Sequence, residues 1–257
     1  MYINTYYTMN WVVIILGIVL VILVYVLYKY FTVTASTLVK TANLNQSIPP
    51  ITSITSPKNV SYAYGVWIYV NTWDKNAAKQ IFSRDKNIRL SLDNTVPMLK
   101  CDIYMTNDTW QTIQITDNFP IQKWVYITIS VNNQFIDCYL DGKLIVARRV
   151  ATLDSTGNVV NTPATPPDNS VAAAGSVAAV SGQPIILGNA VPTTGSTATF
   201  DAYISNFNRW TNELDPQTVW NTYLQGNGMS KTSSMSSYGV NMTILQDSVE
   251  KGTYALL

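Results

Sequence analysis

The longest apolar run, Trp11 to Tyr28 (WVVIILGIVLVILVYVLY), carries no charge over eighteen positions. A helix over it would be roughly 27 Å long, close to the hydrocarbon thickness of a bilayer, and so predicts a single transmembrane helix. Trp11 at one end and Tyr25 and Tyr28 at the other stand where amphipathic rings settle between lipid and water, and Lys29 follows where it can snorkel outward. A cleaved signal peptide and a buried core helix are competing readings. Residues 1–10 hold no Lys or Arg, and the run exceeds a signal peptide's apolar region, which favours an uncleaved anchor over residues 1–31. The nearby cations, Lys29 and Lys40, both follow the span; this asymmetry predicts a C-terminal part on the cytoplasmic side.

Beyond the run the period changes. Residues 32–60 are rich in Ser, Thr, Pro and Asn, with neither helical nor alternating spacing, and predict an extended tether. From residue 61 short β-rich runs follow one another. In Trp124 to Val131, Val125, Ile127, Ile129 and Val131 share one face while Trp124, Tyr126, Thr128 and Ser130 share the other, the pattern of a half-buried strand. Phe135 to Leu140 turns Ile136, Cys138 and Leu140 inward, and Asp141-Gly142 makes a two-residue turn into a returning strand from Lys143. About ten such strands predict an antiparallel sandwich over residues 61–226. Residues 154–183, small and Pro-rich, read as a long surface loop. One helix is signalled, with Asp215 as N-cap, Pro216 at its first position and Gly226 just past its end. The tail, residues 227–257, includes an alternating stretch near Val240 to Leu245 that could add a strand if it finds a partner.

Composition narrows the chemistry. Of 257 residues 47% are hydrophobic and 12% charged, and 16 Lys and Arg against 15 Asp and Glu leave a net charge of +1. That balance gives no electrostatic footprint for nucleic acid. The absence of histidine removes Ser-His-Asp and Cys-His catalysis and every His-ligated metal site. Glu213 and Glu250 are the only glutamates, so a clustered Glu pair is unavailable as well. Cys101 and Cys138 fall in phase with core residues; they read as buried free thiols on the cytoplasmic side, although spacing alone leaves a disulfide open.

Three stretches, YGVWIYVNTW (64–73), WVYITISVNNQFIDCYLDGKLI (124–145) and PIILGN with FDAYISNFNRWTNELDPQTVWNTYL (184–189 and 200–224), resemble the concanavalin A-like, laminin-G-like superfamily. The second carries the family's Y-x-D-G-K hairpin as Tyr139, Asp141, Gly142 and Lys143; in the third, Ala202 stands where the family usually has Gly. The resemblance implies an all-β, antiparallel jelly-roll sandwich with one short terminal helix. The whole layout, anchor, tether and jelly roll, is similar to membrane-anchored minor capsid proteins of large icosahedral DNA viruses. It implies a structural protein of the virion, with membrane lipid and other capsid proteins as partners, its C-terminal domain facing the shell from the inner membrane.

Family chemistry is weighed residue by residue. The E-x-D-x-E strand of β-glucanase relatives is missing, Asp137 points outward and Asp141 belongs to a turn, so no enzyme is expected. Calcium, which some relatives bind, would have Asp93, Asn94, Asn107, Asp108, Asp117 and Asn118 as oxygen donors, but these form no D-x-D-x-D run and suit turns equally well; no metal or cofactor is expected. The alternative to the structural role is a surface lectin, for which Trp73 and Trp110 are the candidate sugar platforms beside Asn71, Asn107 and Asp108.

Overall fold

The computed structural model describes residues 11–31, 35–52, 54, 60–167, 183–188, 200–228, 241–246 and 249–255. The chain divides into two compact units, Met1–Thr34 and Ala35–Leu257.

The first unit contains helix α1 (Trp11–Phe31). Its side chains are described for residues 14–25. Among the described residues no helix is long and apolar enough to cross a membrane, which overturns the membrane localisation expected from the apolar run. Of the residues expected to anchor it, Tyr25 is exposed, while the side chains of Trp11, Tyr28 and Lys29 lie outside the described set.

The second unit is an antiparallel two-sheet sandwich. The larger sheet runs in the order β1 (Ser36–Asn43), β13 (Ala202–Trp210), β2 (Ser61–Val70), β7 (Trp124–Asn132), β8 (Phe135–Leu140) and β9 (Lys143–Arg149). The smaller runs β12 (Ile185–Leu187), β3 (Lys79–Arg84), β4 (Ile88–Leu92), β5 (Leu99–Tyr104) and β6 (Trp110–Thr116). Alternation decides what lies between them. Ile127, Ile129 and Val131 from one sheet meet Ile88, Leu90, Cys101, Ile103 and Ile113 from the other in one buried cluster, each such aliphatic side chain contributing about 1.5–3 kcal/mol. Both cysteines are free and buried there, which closes the disulfide alternative; burial pushes the Cys138 thiol up to about 12 and raises Cys101 as well.

The outer face of the larger sheet is covered by helix α2 (Pro216–Leu224), which starts as expected: the Asp215 carboxylate accepts from the amides of Gln217 and Thr218 at 2.9 and 3.0 Å. Val219 is buried with Ala63, Tyr139, Trp210 and Leu214, and Tyr223 stacks on Trp67, whereas Leu224 is exposed. The Asp141-Gly142 turn has φ values of 47° and 76°, as its sequence requires.

The tether is corrected. Residues 36–43 are not free chain but strand β1, paired along β13, and Leu44 and Ile54 enter the core. A register shift between Thr37 and Val39 breaks the alternation, and an edge strand is held largely by backbone hydrogen bonds, so its side chains give little pattern to read. The expected loop 154–183 is not all loop: β11 (Val159–Asn161) lies within it and pairs with β10 (Thr152–Leu153) just before it, and Pro163 bridges to Met105; residues 168–182 lie outside the described set. In the tail, β14 (Asn241–Gln246) pairs with β15 (Val249–Ala255) of the same tail, so the added strand brings its own partner.

Candidate functional site

The two predicted tryptophans stand apart. The β5–β6 pairing runs from Leu99 opposite Thr116 to Tyr104 opposite Trp110, a length of about 17 Å at strand rise. Trp73 lies at the first end, where its indole N–H donates to the Asn94 carbonyl at 3.2 Å and the Lys79 ammonium sits 4.5 Å from its ring. Trp110 lies at the other end. The Arg89 guanidinium is 3.8 Å from its ring centroid, and Tyr104 meets it edge-on at 5.0 Å. The polar candidates are engaged too. Asn107 Oδ1 accepts from the Thr109 hydroxyl at 2.6 Å, Asp108 accepts from the Tyr104 hydroxyl at 2.8 Å, and Asn71 donates to Asp201 at 2.6 Å. Asp108, at φ 59°, is a turn residue.

The candidate calcium donors divide between the same two ends. Asp93 accepts from the Lys100 ammonium and then from Thr95, which hold its carboxyl well below the usual range, while Asn107 and Asp108 lie at the opposite end. Among the described residues no three acidic or sulfur side chains gather into a metal-binding group.

A different site emerges at the β7–β8 turn. Asn132 pairs with Phe135, leaving Asn133 and Gln134 as the two turn residues, with Asn133 at φ 52°, a value Asn tolerates. Beside the turn is a depression of about 440 Å³, lined by Val60, Asn132, Asn133, Gln134, Phe135, Thr162 and Pro163. The Asn133 amide N–H donates to the Val60 carbonyl at 2.7 Å, and Thr162 is tied to Thr106, so both walls are fixed by backbone contacts. Phe135, in outward phase with Asp137 and Tyr139, is 58% exposed.

The three amides are oriented by their neighbours. Asn132 donates to Glu213, itself bound to Ser61, and accepts from Asn133 Nδ2 at 3.1 Å. Gln134 Oε1 accepts from Arg149 Nε at 2.8 Å. No hydrogen bond within the described residues engages Asn133 Oδ1 or Gln134 Nε2. The depression therefore presents one carbonyl acceptor and one amide donor group beside an exposed aromatic ring. Sequence reading missed Phe135 because it sought tryptophan; the signal was a large apolar residue in outward phase directly after Asn-Asn-Gln. A second depression, about 320 Å³ on the outer face of the smaller sheet, brings Arg89 and Asp85 within 3.8 Å beside Gln80 and Ser83, but its lining contains no aromatic ring.

Two antiparallel sheets packed face to face, with a capped helix on the outer face of the larger one, define a β-sandwich module of the jelly-roll class. A laminin-G-type family model, described as the concanavalin A-like lectin/glucanases superfamily, matches residues 41–169. That is half of the chain, and the chain belongs to this superfamily.

Among solved structures, the chain is similar to the receptor binding domain of botulinum neurotoxin C/D mosaic serotype, with 17% identity, a TM-score of 0.45 and coverage of 65% of this chain and 36% of that one. The botulinum neurotoxin D receptor binding domain gives 16%, 0.46, 72% and 41%. A botulinum neurotoxin type C structure, described as dependent for cell entry on two ganglioside molecules, gives 19%, 0.44, 66% and 36%. This chain thus spans about two fifths or less of the length of those structures. No curated protein matches it. None of these findings identifies it as a viral capsid protein.

Proposed function

We propose that the chain is a non-enzymatic binding module that recognises carbohydrate in the depression at the β7–β8 turn. The observation that carries this is the exposed Phe135 ring beside Asn133 Oδ1 and Gln134 Nε2, which no described residue engages. A sugar offers an apolar C–H face to an aromatic ring and adjacent hydroxyls that both donate and accept, which matches a carbonyl and an amide donor set side by side. The scaffold is rigid, because Glu213 and Arg149 fix the amides before any ligand arrives, and prearranged groups lose less entropy on binding.

A hydrolase is disfavoured by the carboxylates. Asp141 accepts from Lys123 at 3.1 Å and from the Tyr126 amide at 3.0 Å, acting as a turn anchor, while Asp137 on the outer face has its pKa raised by burial. The shell-linking role expected from the layout depended on the anchor and forms no part of this proposal.

The test is a glycan array probed with the full chain, followed by calorimetric titration of each hit against wild type and Phe135→Ala. Wild type binds at least one oligosaccharide, and the variant loses about tenfold or more with an unchanged circular dichroism spectrum. Absence of any bound glycan, or equal affinity in the variant, overturns the proposal.

A further inference from the structure

We infer that strand β9 is a docking edge for an extended, acidic segment of a partner protein. This strand ends the larger sheet, and no described residue hydrogen-bonds its outer edge. An unpaired row of N–H and C=O groups is a template for one more strand. Along that edge Leu144 and Ile145 are 49% and 47% exposed, an apolar centre flanked by exposed Lys143 at one end and Arg148 and Arg149 at the other.

The charges select the occupant. None of the three cations takes part in an ion pair among the described residues, and the strand KLIVARR contains no carboxylate. A second copy pairing antiparallel about Val146 would set Lys143 opposite Arg149, like charges that repel across a strand pair. In no register does a copy supply an opposite charge. A partner strand with acidic residues at its ends and apolar residues between them gains backbone hydrogen bonds, apolar contact and cross-strand ion pairs together. The same cations that discourage self-pairing thus leave the edge open to an acidic strand.

The test uses the full chain and two short synthetic peptides, one alternating Val with Glu and the other Val with Lys, titrated by calorimetry and followed by amide hydrogen exchange. The Glu peptide binds about tenfold or more tightly than the Lys peptide and slows exchange of amides within residues 143–149. Lys143→Glu with Arg148→Glu reverses that preference while leaving Arg149, and with it the Gln134 amide, in place. Val150 donates its N–H inward to the Gln134 carbonyl, so alternation turns the Ala147 N–H to the free edge; Ala147→Pro, which removes it, weakens binding of the Glu peptide. Equal binding of both peptides, unchanged exchange in β9, no binding of the Glu peptide, or peptide-free dimerisation protecting β9 would each overturn the inference. Because the peptides carry no sugar and Phe135 is untouched, none of these results bears on carbohydrate recognition.

Discussion

The Arg89 guanidinium lies 3.8 Å from the Trp110 ring centroid, so one face of the aromatic surface that the sequence offers most plainly as a sugar platform is occupied by a cation. The partly exposed pair contributes roughly 0.5–1 kcal/mol, and Tyr104 packs on the ring's edge. Trp110→Ala is therefore expected to cost about 1–2 kcal/mol of stability, seen as a lower denaturant midpoint, without changing affinity for any glycan that Phe135→Ala weakens. Loss of both together would place the sugar at Trp110.

The Asp141-Gly142 turn predicts a steric limit. A Cβ at Gly142 would stand 2.7 Å from Trp220 on α2, and its φ of 76° is already costly for an L side chain. Gly142→Val should destabilise the sandwich by about 2 kcal/mol or more and shift tryptophan fluorescence as α2 is displaced, whereas replacement of Gly157, which meets nothing within 4 Å, should leave the fluorescence unchanged.

The Asp154 carboxylate predicts a local acid transition. The Thr156 hydroxyl and then the Asn158 amide hold its pKa down to about 2. A depressed acid stabilises the folded form above its unfolded pKa, near 3.9, and loses that contribution as pH falls through the folded value. Residues 154–158, between β10 and β11, should therefore loosen between about pH 4 and pH 2. Amide exchange over those residues checks this, and Asp154→Asn should flatten the pH dependence.

The strongest sequence signals were those in which local chemistry and burial agree. Alternation in β7 and β8, Asp-Gly at the turn and the Asp215-Pro216 cap each determine a backbone conformation by themselves, and the structure reproduces all three. Strand β1 was illegible because a bulge interrupts its period and its partner is 165 residues away, as the Ser205 hydroxyl bond to the Lys40 carbonyl illustrates. The β7–β8 depression was illegible for a related reason: Thr162 and Pro163 reach it only through tertiary bridges to Thr106 and Met105. Its exposed ring, Phe135, could have been found by asking which large apolar residue breaks the inward phase. Trp73 and Trp110 stand out in the sequence, yet tryptophan is equally suited to packing, and the structure sets Lys79 and Arg89 against their rings.

The buried thiols should report global unfolding. Cys138 is raised to about 12 by burial, and both sulfurs are shielded by the sheets, so little thiolate exists to react near neutrality. A disulfide reagent should modify neither residue in the native protein, and modification should track the unfolding transition by circular dichroism. Rapid reaction of either cysteine under native conditions would contradict the sheet packing.

The turn residue Asn133 allows the sugar contact to be separated from the fold. Its φ of 52° makes Asn133→Ala ambiguous, because alanine adds backbone strain as well as removing the amide. Glycine adopts that conformation without a Cβ penalty and retains the backbone N–H that bonds the Val60 carbonyl, while Oδ1 and the Nδ2 bond to Asn132 are lost. Asn133→Gly should thus change stability by less than about 1 kcal/mol yet weaken glycan binding by about 1 kcal/mol, near fivefold, the usual net contribution of one hydrogen bond. Calorimetric titration beside chemical denaturation measures both. If affinity holds while Phe135→Ala destroys it, the ring alone grips the ligand and the amides only shape the turn; if both variants bind as wild type, the depression is not the sugar site.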